Sequence, residues 1–430
     1  MSKLAINGGT RVIPQGTVKP WPPIDDIDRK MVMASLEGNN HAFGPNCEAF
    51  GEEFAAYTGN KYAIFANSGT AALHMGIVAA GVGIGDQVIV SAYSWSSSAT
   101  CILHHNAVPV FVDIKYDTMN IDEDKIEAAI TPRTKAIMAV NLHGLCCDYD
   151  KLRKIAKKHN LVIIEDSCQA HGAKYKGINA GKLGDCAAFS FNQNKCLCSG
   201  EGGMFVTDSE EMYNAAARLW SFGELATPMQ SRDYHSYALG WMYRGSDLVA
   251  AFGRAQLSKM QYYSDCIQEN AAALTAKLKG IKGLIIPTQP EGYLHNWYNY
   301  TNRIDAKALG WHENPAPLRD AIMAALQAEG VNVSIWQSFI LPDMTVFKAK
   351  NAYGGGCPWS CPLSDAAGEK VNYSKENFPV AQLHCDTHFG MTMPLRAPNG
   401  PDLANLVGDA FQKVFSNINE LDPEKYRKKA

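Results

Sequence analysis

One lysine stands in a setting that suits carbonyl chemistry. Phe189-Ser190-Phe191-Asn192-Gln193-Asn194-Lys195 runs into Gly200-Glu201-Gly202-Gly203. An apolar run that ends in polar residues marks a strand end, where partial desolvation favours the uncharged amine. Such an amine can attack an aldehyde and form an imine. The glycines beyond it allow tight backbone turns around a bound group. Most lysines are plain surface residues, so Lys195 alone decides nothing. A second group is Glu165-Asp166-Ser167-Cys168-Gln169-Ala170-His171-Gly172. Asp166 follows the apolar stretch that starts at Leu161, and a carboxylate there needs a partner. A protonated pyridine nitrogen, an ion pair, a helix cap or a metal would each serve. Gln169 and His171 follow within reach of the same pocket.

Two further strand ends carry polar or aromatic residues. Asn67-Ser68-Gly69-Thr70 sits between a strand and a helix. Gly69 lets the backbone approach a ligand closely, and a helix start offers N–H groups and partial positive charge to a phosphate. Ser68 or Thr70 serves equally well as an ordinary cap. Tyr93-Ser94-Trp95 follows residues 88–91, and Trp95 can stack on a flat ring or fill a core. The order is phosphate loop, aromatic, aspartate, lysine.

The elements that must position these groups read as an α/β sheet. Strand candidates are 62–66, 87–90, 109–113, 136–141, 161–165, 187–191 and 204–207, rich in Val, Ile, Phe and Ala. Most lack alternation, as strands covered on both faces do. Helical stretches at 71–80, 122–129 and 150–159 lie between them, which predicts a largely parallel sheet. Gly81-Val-Gly-Ile-Gly85 follows a helix, so it is no dinucleotide fingerprint. Residues 246–278 read as one long helix, kinked at Gly253, and 354–362 as a loop. The chain divides into a large unit, 1–270, and a smaller C-terminal α/β unit, 271–430.

Composition excludes several classes. The chain has 430 residues, 46% hydrophobic and 19% charged, enough to bury a core. The formal net charge is -3, with 40 basic against 43 acidic residues, and the one basic run is the tail at 427–429. Neither nucleic acid nor an anionic membrane is indicated. No apolar run reaches the length of a membrane span. The N-terminus lacks a signal-peptide core, so a cytoplasmic location is expected, with reduced cysteines. Cys357 and Cys361, with His384 and His388, are a conceivable metal cluster, but their spacing fits no standard zinc pattern and no metal is expected.

These residues resemble the DegT/StrS-type sugar and cyclitol aminotransferases of the aspartate-aminotransferase fold. The likeness covers most of the chain and is strongest from Phe43-Gly44-Pro45 through Gln256. Its most specific parts are residues 189–203, with Ser190 five before Lys195, and Glu165-Asp166 with Gln169 to Gly172. Ser246-Asp247, Ala250-Ala251 and Ala255-Gln256-Leu257 match the helix that follows. The resemblance implies fold type I and pyridoxal 5'-phosphate (PLP) as cofactor. It makes Lys195 the internal-aldimine lysine and proton carrier, and Asp166 the partner of the pyridine nitrogen. Trp95 would stack on the ring, Gln169 would meet its phenolic side, and Ser68, Gly69, Thr70 and Ser190 would hold the phosphate. It also implies a homodimer with shared active sites. Gly240-Trp241-Met242-Tyr243-Arg244 resembles the Gly-x-Asn-Tyr-Arg segment that reaches into the neighbour's site. Met242 replaces the asparagine, and a thioether cannot donate to a phosphate.

Residues 4–10, Trp21-Pro22 and Gly356-Cys357-Pro358 are similar to the cyclitol branch, which includes glutamine-dependent inosose aminotransferases and amino-hydroxybenzoate synthases. The expected reaction moves an amino group from L-glutamine or L-glutamate to a keto-cyclitol or keto-sugar. The alternatives are an aromatising synthase like the amino-hydroxybenzoate enzymes, a nucleotide-sugar aminotransferase, and a regulator that binds the cofactor without turnover.

Overall fold

A computed structural model describes residues 3–225, 232–364 and 371–427. In chain order the strands are β1 (Tyr62–Ala66), β2 (Gln87–Ser91), β3 (Val108–Val112), β4 (Thr134–Val140), β5 (Val162–Asp166), β6 (Lys174–Tyr175), β7 (Ile178–Asn179), β8 (Cys186–Ser190) and β9 (Gly203–Thr207). Seven of them form one sheet in the order β1-β9-β8-β5-β4-β2-β3. Only β9 runs against its neighbours, β1 and β8; the other pairings are parallel. Strands β2, β8 and β9 are buried along their whole length, which explains their unbroken apolar sequences.

Helices cover both faces. Gly69–Ala79 is apolar on nearly every side and mostly buried between the sheet and the helix Glu210–Trp220. Tyr149–His159 is amphipathic, burying Leu152 and Ala156 and leaving its lysines in water. Asp148 caps its start, and Asn160 ends it in the left-handed conformation.

The C-terminal part adds β10 (Leu284–Ile285), β11 (Tyr293–Leu294), β12 (Tyr300–Ile304) and β13 (His388–Met391). Strands β10, β12 and β13 make a small antiparallel sheet, while β11 joins the β6–β7 hairpin. The N-terminal arm is tied here by Glu329, a fully buried carboxylate. It accepts from the Ala5 and Val12 N–H groups at 2.8 and 3.0 Å and pairs with Lys413. Residues 340–364 and 371–385 fold back over the β2–β3 side. Leu341 N–H donates to the Ala92 carbonyl, and Asp113 accepts from the Val380 and Ala381 N–H groups at 3.1 and 2.9 Å.

Two expectations are corrected. Residues 246–278 form two helices, Asp247–Leu257 and Met260–Leu278, not one. The break lies at Ser258–Lys259, where the Ser258 hydroxyl bonds the Ala255 carbonyl at 2.7 Å. Gly253 does not kink; its bare face admits the Phe50 ring, which a Cβ would meet at 2.7 Å. Residues 122–129 form a 3-10 turn, Glu123–Lys125, and one short helix, Ile126–Ala129. Pro132 close behind disfavours helical backbone before it. Of the basic tail, 428–429 lie outside the described residues. Among those described, no helix is long and apolar enough to cross a membrane.

Candidate active site

In an open parallel sheet, side chains at the carboxyl ends of the strands face one crevice. The ends of β1, β5 and β8 meet there. A Cβ on Gly69 would come within 2.6 Å of Ser190 Cβ and 3.1 Å of Cys168 Sγ, so only glycine lets the helix start this close to β8. Ser68 caps that helix, its hydroxyl accepting from Ala71 N–H at 3.1 Å. The Gly69 and Thr70 N–H groups precede the first intrahelical bonds and suit an anion. Ser190 ends β8, nearly buried, and its hydroxyl accepts from Asn192 N–H at 3.4 Å.

Asp166 ends β5 and is 5% exposed. The Ser98 hydroxyl donates to one carboxylate oxygen at 2.6 Å, and Cys168 N–H to the other at 3.2 Å. Ser94 in turn contacts Ser98 at 2.7 Å. Among the described residues, no lysine, arginine or histidine side chain forms an ion pair with this carboxylate. Its neighbour Glu165 points to the opposite face and is structural. It accepts from the Gly181, Leu183 and Gly184 N–H groups and the Ser167 hydroxyl. Burial still raises its carboxyl above the ordinary range, against the pull of those bonds.

Gln169 is buried, and its side-chain oxygen accepts from His143 N–H at 2.7 Å. That bond fixes the amide and turns its nitrogen away from His143. Asn296 holds the same loop from the C-terminal part, donating to the Gln169 and His171 carbonyls at 2.8 and 3.0 Å. His171 packs against Phe189 and Phe191. Burial first, then the charges of Lys195 and Arg396, push its imidazole down to about 3, so it is neutral.

Lys195 is half-buried, its Nζ 3.5 Å from the Tyr298 hydroxyl. Its backbone is bolted from two sides. Trp21 Nε1 donates to its carbonyl at 3.0 Å, and Arg396 donates to the Asn194 carbonyl at 2.6 Å. Trp95 stands at the mouth, 54% exposed, with its ring centre 6.2 Å from that of Trp336. Met242 is exposed, on a segment that bridges to Ser221.

The residues present fit PLP. The glycine-lined helix start matches an anionic phosphate, the buried carboxylate matches a protonated ring nitrogen, and the lysine amine matches an aldehyde. Ser98, Tyr298, Arg396 and the backbone of His143 belong to this site and had no local signal in the sequence. Trp21 carries a sequence signal only as a mark of the cyclitol branch. The Cys357, Cys361, His384 and His388 group does not assemble as a ligand set. Among the described residues no group of three or more His, Cys, Asp or Glu could hold a metal ion. His384 and His388 instead stack at 4.3 Å beneath Tyr93.

Residues 22–369 match the DegT/DnrJ/EryC1/StrS aminotransferase family. GDP-perosamine synthase of Caulobacter vibrioides is 37% identical over 314 residues, covering 72% of this chain and 81% of that protein. A Micromonospora echinospora protein, provisionally named L-glutamine:3-amino-2,3-dideoxy-scyllo-inosose aminotransferase, is 35% identical over 429 residues, covering 97% and 98%. The crystal structure of 3-amino-5-hydroxybenzoic acid synthase superimposes with a TM-score of 0.81 at 27% identity, covering 93% and 99%. The chain therefore belongs to the DegT/DnrJ/EryC1/StrS aminotransferase family and is a PLP-dependent transaminase.

Proposed function

We propose that this transaminase moves the amino group of L-glutamine or L-glutamate onto the ketone of a cyclitol or sugar, with Lys195 as the covalent anchor of the cofactor. The observation that carries the assignment of residues is the pairing of two features in one crevice. A buried carboxylate, Asp166, has both oxygens held but no cationic partner among the described residues, and an amine, Lys195, stands on the loop that follows the adjoining strand β8. The end-to-end likeness to the inosose aminotransferase supports a cyclitol acceptor and glutamine as donor.

When bound, the cofactor supplies an aldehyde that accepts amines and a ring that accepts electrons. The protein's part is binding, orientation and proton handling. Gly69, Thr70, Ser68 and Ser190 would hold the phosphate, and Asp166 would keep the ring nitrogen protonated. The Ser98 hydroxyl steadies Asp166 as a charge-assisted partner. Gln169 would offer its amide nitrogen to the cofactor's phenolic oxygen, and Trp95 would help hold its ring. Lys195 Nζ is where a proton is held and moved. A homodimer with shared sites would place the 240–244 segment across the interface.

Lys195→Ala is expected to abolish the visible absorbance of the purified protein. Borohydride reduction of the wild type is expected to leave the cofactor on the peptide that contains Lys195. An unchanged spectrum with full activity in the variant would defeat the assignment. Donors are then screened spectrally, and keto-cyclitols are compared with nucleotide-linked keto-sugars. The synthase likeness supports a second reading, an aromatising reaction, recognised by a new aromatic ultraviolet band in the product.

A further inference from the structure

We propose that Tyr298 is a further catalytic residue, the resting partner of the Lys195 amine whenever that amine is released, with Arg396 as the positioning residue for both. The proposal rests on Lys195 being the cofactor's anchor. Three observations carry it. First, Lys195 Nζ lies 4.5 Å from the centre of the Tyr298 ring and 3.5 Å from its hydroxyl. A π-face stabilises an ammonium, and a hydroxyl can bond either charge state of the amine. Second, one buried guanidinium grips both backbones. Arg396 donates to the Asn194 carbonyl at 2.6 Å, the Lys195 carbonyl at 3.5 Å and the Tyr298 carbonyl at 3.4 Å. Its plane also lies over the Trp21 and Tyr298 rings, at 5.1 and 5.7 Å.

Third, the turn that aims Tyr298 is held in a conformation a bulky residue rarely adopts. Trp297 has φ +53°. It persists because its neighbours over-determine it. Asn296 Oδ1 accepts from Tyr298 N–H at 2.8 Å, and Asn296 Nδ2 binds the Gln169 and His171 carbonyls. His295 stacks on Trp297 at 4.0 Å, and its Nδ1 accepts from Trp297 N–H at 3.0 Å. Strain kept by so many contacts is a mark of a working position.

The chemistry balances without ionising the phenol. The donor's Cα–H bond breaks and an Nζ–H bond forms, while the electron pair on carbon is drawn toward the cofactor ring. Lys195 later returns the same proton and ends neutral. As an ammonium, Nζ donates to the Tyr298 oxygen and lies over its ring. As an amine, Nζ accepts the Tyr298 O–H. Both contacts keep Nζ from swinging out of reach between the two transfers.

The test uses holoenzyme with Tyr298→Phe and Tyr298→Leu. Borohydride reduction and peptide mapping first locate the cofactor. The half-reaction with L-glutamate and α-deuterated L-glutamate is then followed by stopped flow. Phe keeps the ring and loses the hydroxyl, so the rate is expected to fall about tenfold, the scale of a bond to a charged group. The apparent dissociation constant of the donor stays unchanged and the deuterium isotope effect rises. Leu also loses the π-face and falls by about a further fewfold to tenfold. In cofactor-free protein at fixed pH, acetylation of Lys195 by acetic anhydride is expected to rise about threefold or more in Leu, because the ammonium loses its support. Normal rates and isotope effects in both variants, with the cofactor on Lys195, would overturn the role of Tyr298 alone. Cofactor on a different lysine would overturn the anchor assignment, and this proposal with it.

Discussion

Gly69→Ala should loosen the cofactor far more than a one-carbon change suggests. The added Cβ would lie 2.6 Å from Ser190 Cβ, 3.2 Å from Ser190 Cα and 3.1 Å from Cys168 Sγ. Carbon atoms in contact sit about 3.5–4.0 Å apart, so the helix start or the end of β8 must retreat by roughly 1 Å. Neither can retreat easily. Ser190 pairs with Gly203, and a Cβ on Gly203 would itself meet the Ser68 carbonyl at 2.2 Å. Overpacking of this kind costs about 1–3 kcal/mol, against a gain of up to about 1 kcal/mol for alanine in a helix. The clash wins, and it falls on the groups assigned to the phosphate. At about 1.4 kcal/mol per factor of ten, the dissociation constant of PLP should rise about tenfold or more. The assay is absorbance titration of cofactor-free protein, with a thermal melt alongside. Gly400→Ala is the control, because nothing lies within 4 Å of its Cβ and its φ is an ordinary -109°. Wild-type affinity and melting temperature in Gly69→Ala would refute the steric argument.

Glu165→Gln puts an NH2 group against backbone N–H donors, and urea unfolding should show a loss of about 3 kcal/mol. His74, His171, His295 and His388 are each pushed down to about 3, by burial first. The unfolded chain binds these protons below about 6.5 and the native state refuses them. Stability is therefore full above that pH and falls as pH drops toward 3, by up to about 1.4 kcal/mol per pH unit for each histidine. Melts between pH 7.5 and 5 check this, and a flat profile below 6.5 would refute it. Met242→Asn supplies a donor where the family resemblance expects one, and PLP should bind about two- to tenfold tighter. Unchanged affinity would mean that the segment does not reach a phosphate.

The strands were legible because each carries its own evidence. Val162–Asp166 and Cys186–Ser190 are buried on both faces, so their apolar runs stand out against the polar residues that follow. Helices Asp26–Glu37 and Pro45–Thr58 were harder to see. The first exposes Ile27, Met33 and Leu36, so its pattern is blurred. The site divides in the same way. Gly69, Asp166, Gln169, Ser190 and Lys195 stand at strand ends and could be picked out locally. The groups that hold them could not, because the chain separation is too large for any periodicity to register. Trp21 bonds Lys195 across 174 residues, and Arg396 reaches it across 201.

That separation has a consequence for how the enzyme fails. The first strand-end residues are fixed by the sheet and its covering helices, as by the bond from helical Ser98 to Asp166 across 68 residues. The lysine loop is fixed by the N-terminal arm and the C-terminal part together. Arg396→Met keeps length and removes the donors to the Asn194 and Tyr298 carbonyls. The buried Tyr298 carbonyl left without this partner costs about 1–3 kcal/mol, and the more exposed Asn194 carbonyl less. The loss should appear first as freedom of Lys195 and not as global unfolding, because the seven-stranded sheet retains its own core. Hydrogen exchange on the 192–199 peptide, compared with β4 and β5, separates the two. Faster exchange confined to the loop is the expected result. Equal acceleration across the sheet would show that Arg396 supports the whole fold, and would remove the ground for treating it as a positioning residue.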